Sequence, residues 1–253
     1  MAITTTVIRG LSNGTAMTTS PIQWIEATVV DSITETPEVK SLILSSPDLL
    51  PHRAGQHYEL RLTGEDGYQA ARLYSGAPET DSKDTLRLTI QEVPDGEVTP
   101  YIHQTLAVGD KVEIRGPFGR FFVWRETDEQ PVLLIAGGSG VIPLVSILEA
   151  HKRSGSTAPM HLIYSSHTFD DIIYKDILLD NPSVTITLTT SAPKDWTGET
   201  GRISVPLLQN IIAGYPSSPI VYVCGMSRFV SAVNDALQTI GIPLSSIKTE
   251  RFN

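Results

Sequence analysis

The sequence holds a single cysteine, Cys224, among its 253 residues. One thiol excludes an intrachain disulfide and any cluster held by four cysteines of this chain, and it fits a reducing setting, so a cytoplasmic protein is expected. Basic residues are also scarce: 19 Lys and Arg stand against 28 Asp and Glu, for a formal net charge of -9. No run of Lys and Arg interrupts that balance, which argues against an extended nucleic-acid footprint. Long apolar runs are missing, so no segment reads as membrane-crossing, and the N-terminus lacks the basic start and apolar stretch of a secretion signal. His52, His57, His103, His151 and His161 show no H-E-x-x-H or His/Cys spacing; they read as surface or packing residues, and no metal site is expected.

What is present is the composition of a packed globular protein, 40% apolar and 19% charged,. Residues 1 to 20, rich in Thr, Ser and Gly, read as a flexible tail. From about residue 21 to 126 the apolar residues alternate or come in short β-branched runs ("HYELRLTG", "LRLTIQEV", "KVEIRG"), punctuated by Gly, Pro and Asp. That pattern predicts an antiparallel β-barrel. One helix is expected at "TPYIHQTL", with Thr99 as N-cap and Pro100 at its first position.

From residue 127 to 253 the pattern changes to buried strands alternating with amphipathic helices, "PVLLIAGG" then "VIPLVSILEAHKRSG", "MHLIYSS" then "DDIIYKDILLD", and so on to a final "SSIKTE". This predicts a doubly wound α/β domain with a five-stranded parallel sheet. Two domains of different class therefore follow one another along the chain.

Two stretches carry chemistry. In "LLIAGGSGVIPLVSIL" a strand, a glycine-rich turn and a helix succeed one another, and Gly137, Gly138 and Gly140 permit a sharp turn at a helix start, where a dinucleotide phosphate would bind. The G-x-G-x-x-G fingerprint is incomplete, because Pro143 stands at its third glycine, so a purely structural βα turn stays open. In "ARLYSGAP" period-2 alternation puts Arg72 and Tyr74 on one strand face, with Ser75 at the strand's end before Gly76. A guanidinium suits phosphate, a ring suits stacking on a flat heterocycle, and a hydroxyl can donate to a ring nitrogen. A flavin nucleotide has all three parts, although a packed Tyr74 with Arg72 snorkelling to solvent fits the same residues.

Taken in order, "RLYS", "DGEVTPYIH", "VGDKVEIRGPFGRFF", "AGGSGVIP" and "VYVCGM" resemble the motifs of the ferredoxin NADP reductase superfamily of flavoproteins, over a span from about Trp24 to Phe252. The resemblance implies FAD, in preference to FMN, and NADPH or NADH as hydride donor to the flavin N5. It implies that Arg72 pairs with flavin phosphate, that Tyr74 flanks the isoalloxazine, that Ser75 hydrogen-bonds near N5, and that Leu73, Thr89 and Ile90 also belong to the cofactor site. Gly96, Val98 and Thr99 would meet the pyrophosphate. In the second domain Gly138, Ser139, Gly140 and Pro143 would form the nicotinamide nucleotide turn, with Cys224, Gly225 and Met226 beside the two rings. "TERF" resembles the ending of some members and would set Glu250 and Phe252 over the flavin; a frayed end is the alternative. Ser75, Cys224, Glu250 and Phe252 are the implied catalytic residues.

For the adenosine half the resemblance points to Ser165, Ser166, His167 and Arg202. His167 stands where an arginine is usual, and Arg202 compensates in a reading that leans to NADPH or dual use. The implied function is an NAD(P)H oxidoreductase delivering electrons to an external protein acceptor, a ferredoxin or a partner enzyme. Two alternatives remain: a flavin reductase that uses diffusible flavin, and a regulatory subunit that binds nucleotide without catalysis. The oligomeric state is not legible.

Overall fold

The computed structural model describes residues 22–78 and 84–252; the expected tail at residues 1 to 20 lies outside the described residues. Turn residues cut the first half into β1 (Ile25–Thr36), β2 (Val39–Ser45), β3 (His57–Thr63), β4 (Gln69–Ser75), β5 (Thr85–Gln91) and β6 (Lys111–Phe118). All pairings are antiparallel, in the order β4-β3-β6-β1-β2-β5. The edge strands meet at one end, where Gly76 bridges Leu88 and the Ala77 amide donates to the Arg87 carbonyl at 3.0 Å, and this closes the sheet into a barrel. Alternate residues such as Leu42, Leu44, Leu60, Leu88 and Ile90 fill its interior, each gaining about 1.5–3 kcal/mol over the exposed state.

The second half forms β7 (Val132–Gly137), α2 (Val141–Ser154), β8 (Met160–Ser166), α3 (Lys175–Leu178), β9 (Val184–Leu188), β10 (Glu199–Thr200), α4 (Val205–Ile212), β11 (Ile220–Met226), α5 (Ser227–Thr239) and β12 (Ile247–Phe252), after the barrel's single helix α1 (Thr99–Gln104). The strands are parallel, in the order β10-β9-β8-β7-β11-β12. The five expected strands are present, and the two-residue β10 adds a sixth beside β9. Their side chains alternate between two cores: Leu134, Leu162 and Tyr222 face α2, while Leu133, Ile163 and Val223 face α4 and α5. The first of these cores also takes in Val39, Ala54, Ala77, Phe122 and Trp124, so the barrel packs on the α2 side of the sheet.

Local chemistry explains where the helices begin and end. α2 stops at Gly155, which takes φ 69, and carries His151, Lys152 and Arg153 in its last turn, where the helix dipole favours cations,. α4 starts at Ser204, whose hydroxyl accepts from the Leu207 amide at 3.4 Å,.

Two expectations are corrected. Thr99 is the first residue of α1 and not its N-cap, a position held by Val98; the Thr99 hydroxyl turns back to accept from the Val93 amide at 2.8 Å and donate to the Val93 carbonyl at 3.2 Å. The helix expected over "DDIIYKDILLD" shrinks to the four residues of α3, because Tyr174 sits before it in the left-handed region with φ 59. Among the described residues, no helix is long and apolar enough to cross a membrane.

Candidate active site

The order of the parallel sheet fixes where a nucleotide can lie. The chain runs outward from β7 through β8 to β9 and β10, then crosses back to place β11 on the other side of β7. A crevice forms outside the carboxyl ends of strands at such a switch point. Here it lies between Gly137, at the end of β7, and Cys224 to Met226, at the end of β11.

The glycine-rich turn is built for this approach. Gly138, Ser139 and Gly140 form one 3-10 turn leading into α2. A Cβ on Gly140 would lie 2.3 Å from the Cys224 carbonyl oxygen, so glycine is what lets the turn press against β11. Gly138 has φ +55, and a Cβ there would meet nothing within 4 Å. The turn is tight on the protein side and open on the other, the form a phosphate cradle requires. Pro143 is buried within α2 and continues the helix; Ser139 is half-buried and Gly138 exposed.

In the barrel, β4 pairs with β3 so that Arg72 lies opposite Leu60, Tyr74 opposite Tyr58 and Ser75 opposite His57. Arg72 and Tyr74 therefore share a face. The Arg72 guanidinium donates to the Ala71 carbonyl at 2.8 Å and reaches the Glu97 carboxylate at 3.4 Å, an exposed and weakly held pair,. This contact brings Arg72 beside the Gly96 to Thr99 segment. The Tyr74 hydroxyl is buried and has no hydrogen-bond partner among the described residues, and burial pushes its pKa up to about 12. Leu73 is 61% exposed in mid-strand. An exposed, loosely paired guanidinium, an orphaned hydroxyl and an uncovered leucine on one strand fit a flavin nucleotide,.

The two domains meet at these residues. β12 pairs with β11 so that Glu250 lies beside Cys224 and Phe252 beside Met226. Glu250 in turn faces His57 of the barrel, with Oε1 4.0 Å from Nδ1. Ser75, His57, Glu250 and Cys224 thus follow one another from the end of β4 to the end of β11. Burial raises the Glu250 carboxyl to about 7, lowers the His57 imidazole and holds the Cys224 thiol in its neutral form, with the neighbouring Glu250 charge adding to that last effect,. Near neutral pH the carboxyl is only partly ionised and burial disfavours the charged imidazole, so the His57–Glu250 contact is not a strong ion pair. Glu250 Oε2 is buried without a partner among the described residues, so this carboxyl retains an unused polar atom inside the crevice.

Other expected residues fall outside this line. Thr89 and Ile90 are buried, and the Thr89 hydroxyl is engaged by Ser41 and Tyr174. Ser166 is buried, with its hydroxyl donating to the Thr168 carbonyl at 3.2 Å; His167 is exposed after β8, and Arg202, also exposed, follows β10. Ser165 pairs in register with Gly137. The residue pattern alone groups His57 with the packing histidines. The signal for its role is its register opposite Ser75, legible only once the hairpin turn around Asp66 is fixed.

Comparison with known proteins agrees with this arrangement. Residues 26–123 match the family model of an oxidoreductase FAD-binding domain, and residues 134–235 that of an oxidoreductase NAD-binding domain. The chain is 32% identical over 211 residues to ferredoxin–NADP reductase B of Sorangium cellulosum, covering 79% of this chain and 85% of that protein. It is 27% identical to the phenol hydroxylase P5 protein of Acinetobacter pittii, over 91% of this chain and 66% of the relative. With the ferredoxin reductase component of the 3-ketosteroid-9-alpha-monooxygenase of Mycobacterium tuberculosis it shares 27% identity, over 90% of this chain and 65% of that protein. The chain therefore spans about two thirds of the length of these last two relatives. Among solved structures, the ferredoxin reductase of carbazole 1,9a-dioxygenase superposes with a TM-score of 0.79 at 25% identity, over 93% of this chain and 71% of that one. The Neisseria gonorrhoeae ferredoxin NADP+ reductase with bound FAD and NADP shares the fold, with a TM-score of 0.76 at 21% identity over 90% of this chain and 98% of that one. With its two halves matched in order by the FAD-binding and NAD-binding domain models, and with a ferredoxin–NADP reductase 32% identical to it, this chain belongs to the ferredoxin NADP reductase superfamily of FAD-dependent NAD(P)H reductases.

Proposed function

We propose that the protein takes hydride from NADH or NADPH and passes the electrons, through FAD, to a separate acceptor protein, a ferredoxin or the terminal component of an oxygenase. The observation that carries this reading is the convergence of the two domains: Glu250 of the α/β unit lies 4.0 Å from His57, the cross-strand neighbour of Ser75. When bound, FAD supplies the hydride acceptor and the ability to release electrons singly.

The chain's own residues do the rest. Arg72, loosely paired and exposed, is available to a phosphate; Leu73 and Tyr74 offer an apolar edge and an unpartnered hydroxyl; Ser75 sets a hydroxyl at the strand end. Gly138 and Ser139 hold the second nucleotide at the start of α2, with Cys224 buried behind the turn. Phe252, packed on the α2-side core, covers the end of β11. Glu250, its carboxyl raised to about 7 by burial, is partly protonated near neutral pH and can hold or release a proton at Oε2,. The work asked of the fold is positioning more than acid–base chemistry.

The separate acceptor is supported by what the relatives are named: a ferredoxin reductase component of a monooxygenase and a ferredoxin reductase of a dioxygenase. The test is to pass the protein through gel filtration with FAD, then supply NADPH or NADH with ferredoxin or with free FMN. Flavin that co-elutes and reduces ferredoxin supports the proposal. Flavin that washes off, with turnover only on free FMN, identifies a diffusible-flavin reductase instead.

A further inference from the structure

A chain of buried polar groups joins the two domains and takes no part in the site described above. Tyr174, ahead of α3, donates its hydroxyl to Thr89 Oγ1 on β5 at 2.6 Å. Thr89 lies 2.6 Å from Ser41 Oγ on β2, and Ser41 donates to Glu35 Oε1 at 2.5 Å. With the Ser41 proton committed to the carboxylate, Thr89 is the donor to Ser41, and the chain runs in one direction from Tyr174 to Glu35. Arg87 closes it: its Nε donates to Ser41 Oγ at 3.1 Å, its terminal nitrogen pairs with Glu35, and its guanidinium lies 4.9 Å from the centre of the Tyr174 ring. Thr89 and Ser41 each donate and accept, and the terminal carboxylate is neutralised. A satisfied buried network of this kind rigidifies one arrangement more than it adds net stability.

Its location gives it a role. Arg87 and Leu88 form the backbone contacts that close the barrel on Gly76 and Ala77, directly after Ser75. A second strut reaches the same corner: Ser146 of α2, buried, donates to the Ala77 carbonyl at 3.3 Å. One strut thus comes from the helix that follows the glycine-rich turn and the other from the loop that follows β8. Through these hydroxyls the two nucleotide-bearing segments of the α/β domain are anchored to the flavin end of the barrel.

We infer that Tyr174 and Ser146 are positioning residues whose hydroxyl contacts hold the nicotinamide-binding domain at one spacing from the flavin strand and so set the approach of the two rings. This rests on the reductase reading. Hydride transfer is steeply sensitive to such spacing: a misplacement of about 1 Å is enough for a loss on the order of 100-fold.

The test uses the FAD-loaded protein and the Tyr174→Phe/Ser146→Ala double variant, which removes the two contacts and little bulk. Flavin content, the NAD+ and NADP+ dissociation constants, the rate of flavin reduction in rapid mixing and amide hydrogen exchange at Gly76 and Ala77 are compared with the unaltered protein. The expected result is flavin content and dissociation constants within about 2-fold, reduction slowed by about 10-fold or more, and faster exchange at both amides. An unchanged reduction rate would overturn the inference, and so would a rate loss matched by equal losses of FAD or nucleotide affinity, which marks a merely structural role. Should the double variant not fold, Tyr174→Phe alone is expected to slow reduction by about 3-fold with affinities intact, and no slowing there also overturns it. If NADH and NADPH both fail to reduce the unaltered protein, the reductase reading itself falls and takes this role with it.

Discussion

Glu250 illustrates how burial alone moves the proton balance of one residue. Its carboxyl, 4.5 in the unfolded chain, rises to about 7 in the fold because the crevice disfavours its charge. Between those values the folded protein retains a proton that the unfolded chain gives up, so the contribution of Glu250 to stability is full below 4.5 and is lost as pH rises through about 7,. The difference amounts to roughly 3 kcal/mol. The depressed His57 imidazole acts with the opposite slope, so the comparison must be made within a pair. In urea unfolding from pH 5 to pH 8, Glu250→Gln is expected to lose less stability than the unaltered protein; parallel profiles would show that burial of Glu250 is not what sets its proton. Arg72 makes the complementary case. Its charged contact among the described residues is the exposed 3.4 Å pair with Glu97, so Arg72→Ala is expected to leave the unfolding free energy within about 0.5 kcal/mol while weakening FAD binding by about 10-fold or more, read by flavin fluorescence,. Arg72, Tyr74 and Ser75 are legible in the sequence as candidates because a cation, a ring and a hydroxyl crowd into one short strand. His57 is not, because its meaning depends on a partner strand.

At the scale of elements, the glycine-rich turn shows why an incomplete fingerprint can still be a nucleotide turn. Gly140 is required by its 2.3 Å approach to the Cys224 carbonyl and Gly138 by its φ of +55, while Pro143 fits because it lies inside the first turn of a helix,. Gly140→Ala is expected to cost about 1–3 kcal/mol through overpacking and to weaken NAD+ binding, whereas Gly138→Ala should show a backbone cost of about 1–2 kcal/mol. Urea unfolding and NAD+ titration separate the two, and equal effects would argue against the packing explanation. Strand and helix order is legible from the residue pattern, since β7 and β11 are continuous apolar runs and β8 and β9 are short apolar segments between helical stretches. α3 is not: its apolar spacing reads as a long helix, but Tyr174 leaves the helical region to reach Thr89 across the domain boundary. A local pattern cannot register a contact between residues so distant in the chain. The same contact accounts for Thr89, which the order of motifs sets along the flavin and whose hydroxyl the structure commits to Ser41 and Tyr174.

At the scale of the molecule, the change from alternating strands to strand–helix repeats near residue 127 makes two fold classes visible in the residue pattern alone. Their relative placement is not visible there, because it is set by a shared core around Ala77, Phe122, Trp124 and Leu144 and by a few buried polar contacts. That placement turns two nucleotide-binding units into one crevice, across which hydride is proposed to pass. The most direct test is anaerobic: FAD-loaded protein is titrated with one equivalent of NADPH, and separately of NADH, while the visible absorption band of the flavin is followed. Bleaching that is complete at about one equivalent of either donor is the predicted result, and the faster donor identifies the preferred nicotinamide. A protein that binds FAD and keeps its band unchanged with both donors, or that binds no FAD at all, would contradict the account.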